Sequence, residues 1–138
     1  MKVNSMTNKK LGNDFEAKFC EDLFLHGYWV HNMAQNASGQ PADVIAVKDG
    51  KAFLIDCKVC SGKGFAISRM EENQDLAMEL WEACGNSAGW FAILVDEVVY
   101  MFTHTVLKSL QFVKSTLSID DIKNLGVPFE VWVKTKWM

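Results

Sequence analysis

At 138 residues the chain is long enough to bury a core as one domain spanning residues 1–138. Its 49% hydrophobic and 22% charged content excludes disordered, collagen-like and disulfide-scaffold classes. A net charge of −3 excludes a broad basic field of the kind that drives non-specific nucleic-acid binding, although lysines gather at the N-terminus, around Lys58, Lys63 and Arg69, and at Lys134 and Lys136.

Residues 1–10 are polar and read as a flexible arm. From Leu11 to His26 the apolar residues Leu11, Phe15, Phe19, Cys20, Leu23 and Phe24 recur with helical spacing, and Gly27 supplies the stop. "YWVHNMA" predicts a strand and "QNASGQP" a loop. "PADVIAVKDGKAFLIDCKVC", residues 41 to 60, predicts a hairpin turning at Asp49-Gly50, followed by a flexible "SGKG" link. Ser68 and Glu71 have capping-box spacing and open a helix running to about Cys84. "GWFAILVDEVVYMF" predicts two strands joined at Asp96 and Glu97. A short helix over 105–113, a helix start at Ser118 and Asp121, and a final strand in "PFEVWVKTKW" complete the chain. The order is that of an α/β fold, a mixed sheet flanked by helices. Apolar runs fall short of a membrane span and no signal pattern opens the sequence, so a cytoplasmic protein with no membrane partner is the expectation.

The hairpin places charges where apolar residues belong. A type I′ turn at Asp49-Gly50 pairs residues whose numbers sum to 99, so Asp43 faces Asp56, and Lys58 shares their sheet face. Opposed Cβ atoms lie about 4.5–5.5 Å apart. At about 5 Å and an effective dielectric of about 20, two carboxylates repel by roughly 3 kcal/mol. Either the sheet end is wet and Asp56 simply pairs with Lys58, or a divalent cation is held by both aspartates. The flanking helices favour the second reading. Glu16 falls between Leu23 and Cys20 inside the apolar arc of the first helix, and Gln74 projects between Trp81 and Met78 on the apolar side of the capped helix.

Cys57 and Cys60 form C-x-x-C, but no second soft-ligand pair follows. Cys57 therefore reads as a small strand hydrophobe and all four cysteines as reduced thiols. His26, His31 and His104 are scattered without partner spacing, and the five tryptophans read as packing residues.

"PAD" followed by "IDCK" resembles the PD-(D/E)XK nuclease motif, with Asp43, Asp56 and Lys58 in its key positions. "LGNDFEAKF" resembles the G-x-x-F-E helix of Holliday-junction resolvases of the archaeal Hjc and RecU types, and "GFAISRMEENQDLAMEL" with "AGWFAILV" is similar to the RecU-type continuation. The resemblance covers roughly residues 11 to 110. It implies a restriction-endonuclease-like mixed β-sheet, Mg²⁺-dependent phosphodiester hydrolysis with Mn²⁺ able to substitute, action on branched DNA, and a homodimer. By position, Asp43, Asp56 and the backbone carbonyl of Cys57 would hold the metal. Glu16 would bind it directly or through water, Lys58 would orient the attacking water or stabilise phosphate charge, and Gln74 would support the metal or nucleophile. Apart from the resemblance, Lys63 and Arg69 flank the loop "GKGFAIS" and read either as contacts to DNA backbone phosphates or as a solvated loop and helix terminus. The chain departs from the family pattern in having Asp rather than Glu at position 56, in lacking the RecU-type stalk before Asp43, and in having Arg69 as its one arginine. A non-catalytic nucleic-acid-binding or assembly protein on the same fold, and a repair or restriction-like duplex nuclease, are the alternatives.

Overall fold

The computed structural model describes residues 8–33 and 42–137; Ala34, the "QNASGQP" loop, Met138 and most of the N-terminal arm lie outside them. Helix α1 (Asn8–Leu25) starts earlier than the expected Leu11. It is followed by β1 (Trp29–Asn32), β2 (Val44–Lys48) and β3 (Lys51–Val59). Next come β4 (Phe65–Ala66), a single 3-10 turn Ile67–Arg69, α2 (Glu72–Ala83), β5 (Trp90–Val95) and β6 (Val98–Thr103). The chain closes with α3 (His104–Leu110), β7 (Thr116–Leu117), α4 (Ile119–Leu125), β8 (Val127–Pro128) and α5 (Phe129–Trp132).

Six strands form one mixed sheet in the order β1-β2-β3-β5-β6-β8, and β4 pairs with β7 in a small second sheet. The β2–β3 hairpin turns as expected: Asp49 and Gly50 both have positive φ, 54° and 76°, and the ladder runs from Lys48↔Lys51 to Val44↔Ile55. β3 and β5 are parallel, with α2 in the crossover between them. Both sheet faces are covered. Phe15, Phe19 and Leu23 of α1 and Trp132 of α5 pack with Val44, Ala46, Phe53 and Ile55 on one face. Met78 of α2, Leu107 of α3 and Ile122 of α4 pack with Leu54, Phe91 and Ile93 on the other.

Four expectations need correction. The final segment is not a strand: only Val127 and Pro128 pair with β6, and Phe129 begins a helix. In helical geometry Trp132 and Val133 turn inward while Val131 stays exposed, whereas a strand would have put Trp132 opposite both valines. The Ser68 cap is displaced by one turn. Glu71 is the N-cap of α2, because Met70 is extended and Gln74, not Glu71, occupies the N3 position. "SGKG" is not a loose link but a closed turn, in which Ser61 accepts the Gly64 N–H at 3.1 Å through its carbonyl and donates its hydroxyl to the Gly64 carbonyl. A Cβ on Gly64 would sit 2.4 Å from the Leu117 carbonyl oxygen, so only glycine lets this turn lie against β7. Leu11 and Phe24, assigned to the apolar arc of α1, are exposed.

Candidate active site

The end of the β2–β3 hairpin away from its turn gathers Asp43, Asp56 and Lys58. Asp56 is 1% exposed, in the middle of β3, and points toward α2; Asp43 is 7% exposed, one residue before β2. The ladder stops one residue short of the expected Asp43–Asp56 facing. The Asp43 N–H donates to Ile55 C=O at 3.2 Å, its own carbonyl accepts the Met33 N–H at 2.8 Å, and the chain bends there. Its carboxylate takes over as acceptor: Oδ2 receives the Cys57 N–H at 2.8 Å, which brings the two acids together although they leave strict register. Lys58 Nζ lies 3.1 Å from Asp56 Oδ2.

Asp56 Oδ1 accepts from Gln74 Nε2 at 3.2 Å, while Gln74 Oε1 accepts the Glu71 N–H at 3.3 Å, so the first turn of α2 holds the amide in one orientation. Gln74 is buried, as its place on the apolar side of α2 implied. Glu16, half-buried on α1, approaches from the opposite face of the sheet. Burial, and secondly the Asp43 charge, push its carboxyl up to about 7 against the opposing pull of Lys58. Burial does the same to Asp56, with Asp43 adding to the rise and Lys58 offsetting part of it. Three carboxylates therefore share one ammonium, an imbalance of two negative charges that protons relieve in part.

The residues fit a divalent cation. Asp56 Oδ2 is fully buried between the Lys58 ammonium, 3.1 Å away, and the Asp43 carboxylate, and a carboxylate oxygen has lone pairs enough to meet a cation beside the ammonium. Among the described residues no group of three or more His, Cys, Asp or Glu side chains is placed to hold a metal ion by itself. Cys57 is a free thiol, as are the other three cysteines. Its side chain packs into the core with Cys20, and burial raises its thiol, so only its backbone could serve as a ligand.

The DNA-contact candidates lie beside this centre in sequence but are not equivalent. Lys63 is exposed on the Ser61–Gly64 turn. Arg69 is exposed but engaged: Nη1 donates to the Val59 carbonyl at 2.8 Å and the guanidinium lies 5.2 Å from the Phe65 ring centroid, tying the 3-10 turn to the end of β3. A supporting cluster escaped the sequence reading. His104 is buried and its Nε2 is 2.6 Å from Asp75 Oδ1, while Lys108 Nζ donates to Asp75 Oδ2 at 3.1 Å, so α3 is fastened to α2 beside Gln74. Burial alone would raise Asp75; the His104 and Lys108 hydrogen bonds outweigh it and hold the carboxyl below its usual range. With the partners 29 positions apart in sequence, no local spacing signals this contact.

No protein-family model and no curated protein sequence matches the chain. Among solved structures, it is similar to Hjc, a Holliday junction resolvase from the archaeal hyperthermophile Archaeoglobus fulgidus. The TM-score is 0.62 at 14% identity, covering 93% of this chain and 99% of that one. It is also similar to a bacterial homing endonuclease, with a TM-score of 0.51 at 15% identity, covering 75% of this chain and 70% of that one. The fold is thus the restriction-endonuclease-like one that the sequence motifs implied. No helix among the described residues is long and apolar enough to cross a membrane.

Proposed function

We propose that the protein is a metal-dependent DNA endonuclease, with Mg²⁺ as its cofactor, Mn²⁺ as a substitute, and branched DNA such as a four-way junction as its substrate. The observation that carries this reading is the gathering of two buried carboxylates, Asp43 and Asp56, with the Lys58 ammonium 3.1 Å from Asp56 Oδ2 at the end of one hairpin. Asp43, Asp56 and the carbonyl of Cys57 would hold the cation, and Mg²⁺ would keep several waters, so two carboxylates suffice. When bound, the cation supplies Lewis-acid polarisation of a phosphoryl oxygen and charge neutralisation. Lys58 holds a positive charge on the same face, where it orients water and stabilises negative charge on the phosphate. Gln74 fixes the rotamer of Asp56. Glu16, which meets the other groups through charge rather than contact, acts through water. Lys63 is free to meet backbone phosphate, and Arg69 would do so with the donors left over from Val59. Dimerisation of the protein, and a preference for junctions without a stalk, belong to the same proposal.

One observation favours a second reading. Asp43 caps the Cys57 N–H and Asp56 has Lys58 and Gln74, so these acids could end a sheet in a non-catalytic nucleic-acid-binding or assembly protein. Labelled four-way junctions, flaps, single strands and duplexes, incubated with Mg²⁺, Mn²⁺ or EDTA, separate the cases. The proposal expects cutting that needs the cation and disappears in Asp56→Asn, strongest on a branched substrate. Cutting in EDTA, or full activity in Asp56→Asn, would overturn it. Preference for plain duplex would point to a repair or restriction-like nuclease, and absence of Asp43- and Asp56-dependent Mn²⁺ binding by calorimetry to the non-catalytic protein.

A further inference from the structure

At the turn end of the same hairpin the surface opens into a cleft of about 540 Å³, between the tip of β2–β3 and the segment that follows α5. Its wall carries Lys48, Lys51, Lys134 and Lys136 against a single acid, Asp49, in a chain whose net charge is −3. The cleft is far from the candidate active site. Asp43 lies five residues along β2 from Lys48, about 16 Å at 3.3 Å per residue. Strand alternation also sends Lys48 and Lys51 to the face covered by α1 and α5, whereas Asp56 points to α2.

The cleft is held in shape by its own residues. Lys48 Nζ donates to the His26 carbonyl at 2.7 Å and lies 5.2 Å from the Tyr28 ring centroid, and Lys51 Nζ donates to the Trp137 carbonyl. Trp137 in turn donates its indole N–H to the Trp132 carbonyl and packs edge-on against Trp90, with centroids 4.9 Å apart. The tail after α5 is thereby pinned across the hairpin, and Lys134 and Lys136 are exposed on it. Each of the two anchored ammonium groups spends one donor on a carbonyl and keeps others for a ligand. Four ammonium groups around one concavity repel one another unless an anion joins them, and the half-exposed Trp137 ring adds a flat apolar surface at its edge.

We infer that this cleft is a binding site for phosphoanions, of the size and polarity to take a nucleotide unit, supplied either by a free nucleoside polyphosphate or by a single-stranded nucleic-acid segment. It is separate from the metal centre and does not depend on the nuclease reading.

Binding is measured by calorimetry on the full chain in EDTA at low salt, with tripolyphosphate, dATP and an eight-residue oligothymidylate as probes. The comparison is with Lys134→Glu/Lys136→Glu, two exposed positions whose side chains make no hydrogen bond or ion pair among the described residues. The expected result is that the wild-type chain binds tripolyphosphate, that the double variant loses at least tenfold in affinity for it, and that Asp56→Asn does not. Tighter binding of dATP than of tripolyphosphate would support a nucleotide with its ring on Trp137; still tighter binding of the oligonucleotide would support a strand. Failure of the wild type to bind any probe, or equal affinity in the double variant, would overturn the inference. Neither failure bears on metal-dependent cutting, which the cleavage assay reads separately.

Discussion

Gln74 donates its side-chain amide to Asp56 across 3.2 Å while its own carbonyl oxygen accepts the Glu71 N–H, so one residue ties the start of α2 to the middle of β3. Both ends of this bridge are buried or part-buried, and the other oxygen of the acid it serves faces the Lys58 ammonium at 3.1 Å. In Gln74→Leu the oxygen that Gln74 serves, Oδ1, loses its hydrogen-bond partner. Leaving a buried acceptor unpaired costs about 1–3 kcal/mol. The expected outcome is a melting temperature lower by several degrees in the metal-free protein, read by circular dichroism. Gln74→Glu should be more destabilised at pH 8 than at pH 5, because the new carboxylate repels Asp56 only when ionised. A melting temperature unchanged in both variants would remove Gln74 from the site.

Stability should fall as pH rises through the window set by Glu16. Its carboxyl titrates near 4.5 in the unfolded chain and at about 7 in the folded one, so the folded state binds the proton more tightly. That contribution is fully present below pH 4.5 and is lost as pH rises through about 7. Asp56, also raised, acts in the same direction. The denaturation midpoint of the metal-free protein is therefore expected to decline between pH 4.5 and 7.5, and Glu16→Gln should flatten the decline. A midpoint that rises through this interval would contradict the placement of Glu16 beside Asp43.

Local signals carried most of the architecture because each had a mechanism. Asp49-Gly50 imposed the hairpin register through positive φ at both turn positions, and Ser118 with Asp121 marked α4 by a reciprocal cap that the structure forms. The two displaced elements had competing patterns. S-x-x-E at 68–71 is followed at once by E-x-x-Q at 71–74, and only the extended backbone at Met70 decides between them. In "PFEVWVK" both periods fit: alternation groups Phe129, Val131 and Val133, whereas helical spacing groups Phe129, Trp132 and Val133, and burial of the largest side chain selects the helix. Of the candidate site, Asp43, Asp56, Lys58, Glu16 and Gln74 stood out in the sequence because each broke an apolar pattern. The His104–Asp75 contact was not, because it exists only after α2 and α3 dock, and the engagement of Arg69 by Val59 likewise depends on where β3 ends.

Asp43 combines two roles that two substitutions should separate. Its carboxylate accepts the Cys57 N–H at 2.8 Å, and its charge raises both Glu16 and Asp56. Asp43→Asn keeps an oxygen for Cys57 and removes the repulsion, so its metal-free stability should equal or exceed the wild type. Asp43→Ala leaves the Cys57 N–H unpaired and should be less stable than Asp43→Asn by about 1–3 kcal/mol. Both should lose Mn²⁺ binding in calorimetry. An appreciable loss of stability in Asp43→Asn would assign the aspartate a structural role, and retained Mn²⁺ affinity would take it out of the cation site.

Lys58 should divide cation affinity from turnover. Its ammonium, 3.1 Å from Asp56 Oδ2, competes with any cation for that oxygen, yet it supplies a positive charge directly beside the acids. Lys58→Met removes the competitor while keeping an unbranched apolar stem of similar reach. The metal-free variant should be less stable, because burial and the Asp43 charge then act on Asp56 without opposition. Mn²⁺ affinity at pH 8 should hold or increase, since the two aspartates meet the cation with no ammonium between them. Cleavage should nevertheless fall by about 10²–10³-fold, the scale on which one electrostatic group aimed at developing charge acts. Calorimetry and single-turnover cleavage on the same preparation read the two quantities independently. Parallel loss of both would mean that Lys58 organises the aspartates, and cleavage at the wild-type rate would mean that it takes no part in the chemistry.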